Sequence, residues 1–154
     1  EFHVIRHPFG ELSLGQTGIS SGRTMTETDV VNFCMLTGNW LELHSNVEHA
    51  QTSLYGQRLV QGSLVFSIVN AMIPFDSSVL AAFYGCDKLR FLRPTFINDT
   101  LWARVEIVNL KDHDEKHGVL RCEFSLLIRK SRLDRPGEPA KVRAAHDKTQ
   151  GESA

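Results

Sequence analysis

Gly62-Ser63-Leu64-Val65-Phe66-Ser67-Ile68-Val69-Asn70-Ala71-Met72-Ile73-Pro74 is the stretch on which the fold turns. Its apolar residues point in nearly every helical direction, as expected of a helix enclosed by other structure, and Pro74 ends it. The apolar run from Leu64 to Phe75 is interrupted by Ser67, Asn70 and Pro74 and is too short to span a bilayer. Upstream, Thr26-Glu27-Thr28-Asp29 has the form of a capping box, and Val30, Phe33, Cys34 and Leu36 follow on one helical face until Gly38 stops the helix. A short helix is expected from Val47 to Leu54, closed by Tyr55-Gly56-Gln57. Downstream the period changes. Leu89 to Leu92, Leu101 to Leu110 and Val119 to Lys130 carry the β-branched, aromatic and alternating residues of strands. The charged stretch Lys111 to Gly118 reads as a solvated hairpin turn, Arg132 to Gly137 as a second turn, and Ala140 to Ala145 as a last strand. A buried helix followed by an antiparallel meander gives an α+β fold, a curved sheet wrapped around a long central helix.

The remaining arithmetic bounds what such a domain does. The chain has 154 residues, with 17 Lys+Arg against 18 Asp+Glu and 42% apolar residues. A domain of this size buries about 70% of the surface its unfolded chain exposes, so a core needs no disulfides to support it. Near-neutral charge argues against nucleic acid as a partner, because phosphate binding needs a basic field. Cys34, Cys86 and Cys122 are odd in number and form no CxxC pair, so they read as reduced structural thiols in a cytoplasmic protein, with no metal site. The chain begins Glu1-Phe2-His3 without a Met or a signal peptide, which reads as a trimmed start, and no membrane association is expected.

Two stretches carry a more specific pattern. The first runs Phe33-Cys34-Met35-Leu36-Thr37-Gly38-Asn39-Trp40-Leu41-Glu42-Leu43-His44, followed by Arg58-Leu59-Val60-Gln61-Gly62-Ser63. The second is Arg90-Phe91-Leu92-Arg93-Pro94-Thr95-Phe96-Ile97-Asn98-Asp99. Together they resemble the MaoC-like, (R)-specific enoyl-CoA hydratase family of the hot-dog fold. In that family a helix ends in a Gly-Asp-x-Asn-Pro-x-His loop, an Arg-Ile-x-His-Gly turn opens the central helix, and a later segment reads Phe-x-x-Pro-x-x-x-Gly-Asp. The resemblance spans roughly Gly22 to Lys130. It implies a single hot-dog domain over residues 1–146, a tail at 147–154 without fixed structure, and a homodimer or larger assembly.

Carried over by position, the resemblance puts His44 on the family's catalytic histidine, Gly62 on the glycine whose N–H binds the thioester oxygen, and Asn39 on the catalytic aspartate. An amide cannot take up a proton at useful pH, although its oxygen still accepts a hydrogen bond from water. Leu41, Glu42, Gln61 and Asn98 also depart from the family pattern, which reads as natural divergence of a branch. Glu42 is open to two readings, a replacement carboxylate or a solvated surface acid.

Gly62 has mechanical support of its own, because the first N–H groups of a helix are free donors at its positive end. Ser63, Ser67 and Asn70 lie on the same helix, and Ser67 and Asn70 share a face suited to a polar pocket, or to bonding with each other and the backbone. Arg90, Arg93 and Lys88 are candidates for the phosphates of coenzyme A or a phosphopantetheine arm, which enter only as part of the substrate. Trp40, Trp102, Phe66, Phe75, Phe83 and Tyr84 read as core or subunit interface. The resulting expectation is a hydratase or dehydratase of a 2-enoyl/(R)-3-hydroxyacyl thioester. The alternatives are a hot-dog protein that binds acyl thioesters without hydrating them and a specialised biosynthetic dehydratase or cyclase.

Overall fold

Main-chain hydrogen bonding, followed in chain order, shows how the helical half and the strand half meet. The structure is a computed structural model that describes residues 6–74, 76–129 and 140–143. After a 3-10 turn at Phe9–Glu11, strand β1 (Thr17–Ile19) and strand β2 (Arg23–Thr24) lead into helix α1 (Glu27–Thr37). Helices α2 (Glu42–Ser45), α3 (Val47–Thr52) and α4 (Gly62–Ala71) follow, and then strands β3 (Thr100–Asp112), β4 (Gly118–Arg129) and β5 (Ala140–Arg143). All five strands form one antiparallel sheet in the order β1-β3-β4-β5, with β2 on the same edge of β3 as β1.

β1 and β2 form one edge strand interrupted by a bend. At the bend the Ser20 N–H donates to the Ala103 carbonyl at 2.8 Å, and the Ser20 hydroxyl accepts the Ala103 N–H at 2.9 Å. A side chain thus replaces a missing rung of the ladder, which lets the edge turn without leaving a buried donor unpaired. β3 alternates strictly, with Leu101, Ala103, Val105 and Ile107 buried and Trp102, Arg104 and Glu106 facing out. A register shift between Ile107 and Asn109 marks a bulge, the usual way for a long strand to bend around a core. Leu64, Val65, Ile68 and Val69 of α4 pack into that concave face with Leu126 and Ile128 of β4. The expected curved sheet around a central helix is therefore present.

The local signals at the ends of α1 behave as read. Thr26 caps the helix, its hydroxyl accepting the Asp29 N–H while the Asp29 carboxylate accepts the Thr26 N–H at 2.9 Å. Gly38 takes the left-handed conformation with φ of 72° and donates to the Cys34 carbonyl, which closes the helix where a residue with a Cβ is disfavoured. The cysteines are free thiols, and burial pushes Cys122 up to about 11.

Three expectations change. Leu89 to Leu92 is not a strand: its β-type residues have no neighbouring ladder, and the isolated bridge of this region joins Leu59 to Phe96 instead. Leu36 points to solvent at 83% exposure, because Val30 and Cys34 alone form the buried stripe of α1. Among the described residues α4 is not enclosed on every side. Ser63, Ser67 and Ala71 are exposed on its outer face, where Phe83 makes an edge contact with Phe66 at 6.5 Å between ring centroids. Trp40, Phe83 and Tyr84, read as core or subunit interface, are exposed in this chain, which leaves the interface reading of the two. The last-strand expectation holds over Ala140–Arg143, while Phe75, the turn at 132–137 and the tail at 147–154 lie outside the described residues. No described helix is long and apolar enough to cross a membrane.

Candidate active site

The loop after α1 winds into the single turn of α2. Leu41 stands at the N-cap of that turn and contributes no side-chain cap, and its carbonyl accepts the N–H groups of His44 at 2.8 Å and Ser45 at 3.2 Å. His44 is half-buried, and its Nδ1 lies 2.8 Å from the Leu59 carbonyl oxygen. A carbonyl only accepts, so Nδ1 carries a proton, and in the neutral form of the ring the lone pair lies on Nε2. Among the described residues no protein group takes up Nε2. The backbone ties the same two segments again, the Leu59 N–H donating to the Leu43 carbonyl at 3.1 Å.

Leu59 stands three residues before Gly62, so their Cα atoms are at most about 10 Å apart. That short reach ties His44 to the segment that enters α4 at Gly62. Gln61 is the N-cap of α4 and offers no side-chain cap, so the first N–H groups of the helix have no capping oxygen. Gln61 is 1% exposed, and its amide nitrogen donates to the Cys34 sulfur at 3.1 Å. Sequence reasoning missed what makes position 62 a glycine. A Cβ built there would meet the Phe91 ring at 3.0, 3.1 and 3.2 Å, so the ring packs closely against the start of α4. The cue was present in the Phe-x-x-Pro motif, but only the fold shows which glycine it covers.

The other predicted residues divide clearly. Asn39 is half-buried directly after the Gly38 cap, with its N–H donating to the Thr37 hydroxyl at 3.3 Å and its carboxamide unpartnered among the described residues. Glu42 is a surface acid: its carboxylate accepts from Asn46 at 3.1 Å and lies 3.5 Å from His49 Nδ1, which commits it away from a catalytic role. Ser67 is exposed and donates to the Ser63 carbonyl at 2.9 Å, so its hydroxyl satisfies its own helix and forms no polar pair with Asn70. Ser63 is exposed on the first turn of α4 and Asn70 is half-buried on its last. Arg90 and Arg93 are exposed on either side of Phe91, and Arg90 donates to the Leu89 carbonyl beside it at 2.9 Å.

A family model described as MaoC like domain matches residues 13–124. The chain belongs to the MaoC-like dehydratase family. Protein MaoC of Klebsiella aerogenes is 33% identical over 105 residues, covering 67% of this chain and 31% of that protein, so the chain spans about a third of its length. The (R)-specific enoyl-CoA hydratase of Rhodospirillum rubrum is 29% identical over 107 residues, 70% of this chain and 74% of that enzyme. Among solved structures, a monoamine oxidase regulatory protein from Archaeoglobus superposes with a TM-score of 0.75 at 36% identity, covering 89% of this chain and 90% of that one. A double hot-dog protein from Mycobacterium tuberculosis has a TM-score of 0.59 at 18% identity over 84% of this chain and 36% of that one, and carries the same fold.

Set in the MaoC-like frame, the departures of this chain acquire physical meanings. The family's Asn-Pro pair falls on the N-cap and first position of α2, the places where asparagine and proline are favoured. Leu41 and Glu42 fill those places without a side-chain cap, and the Ser45 hydroxyl ties the turn to the chain before it by donating to the carbonyls of Trp40 at 3.0 Å and Leu41 at 3.2 Å. Asn98, where the MaoC-like motif has glycine, has φ of 74°, and asparagine is the non-glycine residue that best tolerates this region. Asn39 places a neutral amide where the family carries its catalytic carboxylate.

Proposed function

We propose that this MaoC-like chain is a hydratase/dehydratase that interconverts a 2-enoyl and an (R)-3-hydroxyacyl thioester. The observation that carries the proposal is the anchored His44, whose Nδ1–H is held by the Leu59 carbonyl three residues before Gly62. That arrangement supports Nε2 as the base. In hydration, Nε2 takes a proton from water as the water oxygen bonds to the β-carbon, and the electrons of the double bond move onto the thioester carbonyl. The N–H of Gly62, at the uncapped positive end of α4, stabilises the enolate oxygen, and Nε2 then returns its proton to the α-carbon. Dehydration is the reverse. Asn39 orients the water through its amide oxygen, and the Phe91 ring lying on Gly62 shields the carbonyl site from solvent.

The arrangement of cations supports a thioester carried on coenzyme A or phosphopantetheine. Arg90 and Arg93 flank Phe91 and are exposed, which suits them to phosphates outside the pocket mouth while the reacting carbons lie beneath the ring. Ser63 and Asn70 border the outer face of α4 along which an acyl chain would run. The chemistry draws on no resident metal or redox group. Loss of enoyl-thioester absorbance with a panel of chain lengths and both carriers tests this reading. Turnover of at least one is expected, and none at any length or carrier defeats it.

A second reading has one specific observation in its favour, the neutral Asn39 where the family carries an acid. In it the pocket binds acyl thioesters and does not hydrate them.

We further propose that the working unit is a homodimer. The outer face of α4 is open, and Val79, Phe83, Tyr84, Leu89, Phe91 and Leu92 are exposed in the segment that crosses it. A contiguous apolar surface of this kind on one monomer is the mark of an interface. Light scattering at micromolar concentration is expected to give twice the chain mass, and Tyr84→Glu, placing a charge at a position 88% exposed, is expected to shift it toward monomer.

A further inference from the structure

Asp99 is the buried acid for which the proposed chemistry has no direct use, and its connections lead to His44. It is 2% exposed and lies in the turn just before β3. Its Oδ2 accepts the Phe96 N–H at 2.9 Å, its own N–H donates to the Phe96 carbonyl at 3.1 Å, and Asn98 between them is in the left-handed region. The turn is also fixed to the chain entering α1: the Met25 N–H donates to the Asp99 carbonyl at 2.9 Å, and the Asn98 N–H donates to the Met25 carbonyl at 2.8 Å. On its other side the turn holds the segment entering α4, through the Val60 N–H on the Thr95 carbonyl at 2.9 Å and the bridge between Leu59 and Phe96. Leu59 is the residue whose carbonyl holds the histidine ring at 2.8 Å.

We propose that Asp99 is a positioning residue for His44: its carboxylate fixes the turn that sets the Leu59 carbonyl, and that carbonyl selects the Nδ1–H form of the ring. A hydrogen bond from a backbone N–H to a carboxylate is charge-assisted and about twice as strong as one to a neutral oxygen, so an acid holds this turn more rigidly than other residues of its size. Burying the charge is costly unless it is bonded, which makes the position intolerant of a rearranged turn. The consequence is that a group remote from the reacting atoms decides which nitrogen of His44 can act as base.

This inference rests on His44 being the acid/base of the proposed reaction, and its test reads the ring directly as well as the rate. Long-range 1H–15N correlation spectra of the parent are expected to show protonated Nδ1 and bare Nε2 on His44. Asp99→Ala is expected to give a mixture of tautomers and to lower kcat by about 10- to 100-fold with KM nearly unchanged, as expected when a catalytic group is misplaced by a fraction of an ångström or more. Asp99→Asn keeps an acceptor oxygen and is expected to retain the parental tautomer and most of the activity. Asn98→Val, at an exposed position, strains the same turn through its φ of 74° and is expected to act as a weaker Asp99→Ala, which serves where the alanine variant does not fold. Ile107→Ala lies eight residues along β3, about 26 Å away, and destabilises the core while leaving the tautomer as in the parent. A pure Nδ1–H ring in folded Asp99→Ala and in Asn98→Val overturns the proposal. A parent that turns over no enoyl thioester defeats the hydratase reading instead, and the tautomer comparison still decides the role of Asp99.

Discussion

His44→Ala is expected to lower kcat by about 100- to 10,000-fold, the usual contribution of a positioned acid/base. The ring is half-buried on a helix of four residues that is held by its own main-chain bonds to Leu41, so removing it leaves the backbone of α2 in place. The Leu59 carbonyl loses its side-chain donor but keeps the segment's bonds to Leu43 through its own N–H and to Thr95 through the Val60 N–H. The surfaces proposed to bind the thioester, Gly62 under Phe91 and the flanking arginines, are untouched. The loss is therefore expected in kcat with KM changed little, the pattern of a group that acts in the transition state. Steady-state rates on the best enoyl thioester check it, with thermal unfolding as the control for folding. A variant as fast as the parent removes His44 from the chemistry.

Asn39→Asp is expected to act in the opposite direction, raising kcat by about 100-fold or more. The two side chains have the same shape, and the Asn39 amide is committed to no partner among the described residues, so the exchange alters charge and little else. A carboxylate takes up a proton where an amide cannot, and it supplies the second acid/base that the MaoC-like family has at this place. One effect opposes the gain. Position 39 follows the C-terminus of α1, whose partial negative charge disfavours an anion by about 0.3–1 kcal/mol. That cost is small against a 100-fold rate, which corresponds to about 2.7 kcal/mol. Unchanged turnover in Asn39→Asp would show that the missing acid is not the limit on rate. Turnover that appears only in Asn39→Asp, with the parent binding acyl thioesters tightly, would establish the non-hydrating reading.

Legibility in the sequence followed the range over which each signal acts. The Thr26 cap, the Gly38 stop and the alternation of β3 are set by neighbours within a few residues, and all three have the expected form. β1 and β2 were not foreseen, because two or three residues carry no readable period and take their strand form from the edge of β3. Leu89 to Leu92 failed for the converse reason, having strand-type residues with no edge to join. α2 was missed because its cap signal is absent, Leu41 standing where a capping asparagine announces the turn in the family. At the candidate site, the motif pointed to His44 and Gly62, whereas the carbonyl that orients the one and the ring that packs on the other come from 15 and 29 residues away in the chain. Such pairings are properties of the packed fold and leave no local mark.

The main-chain anchor of His44 also says what kind of change the site can absorb. The ring is held by the carbonyl of Leu59, which every amino acid possesses, and not by a side chain there. Residue identity at position 59 is therefore free to vary with the demands of packing, while the number of residues between 59 and 62 is not. Inserting or removing one would slide the carbonyl relative to the start of α4 by about 3.3–3.6 Å, more than the length of the hydrogen bond itself. For redesign of this pocket, substitution is the safe operation on this segment, and a change in its length is the one to avoid.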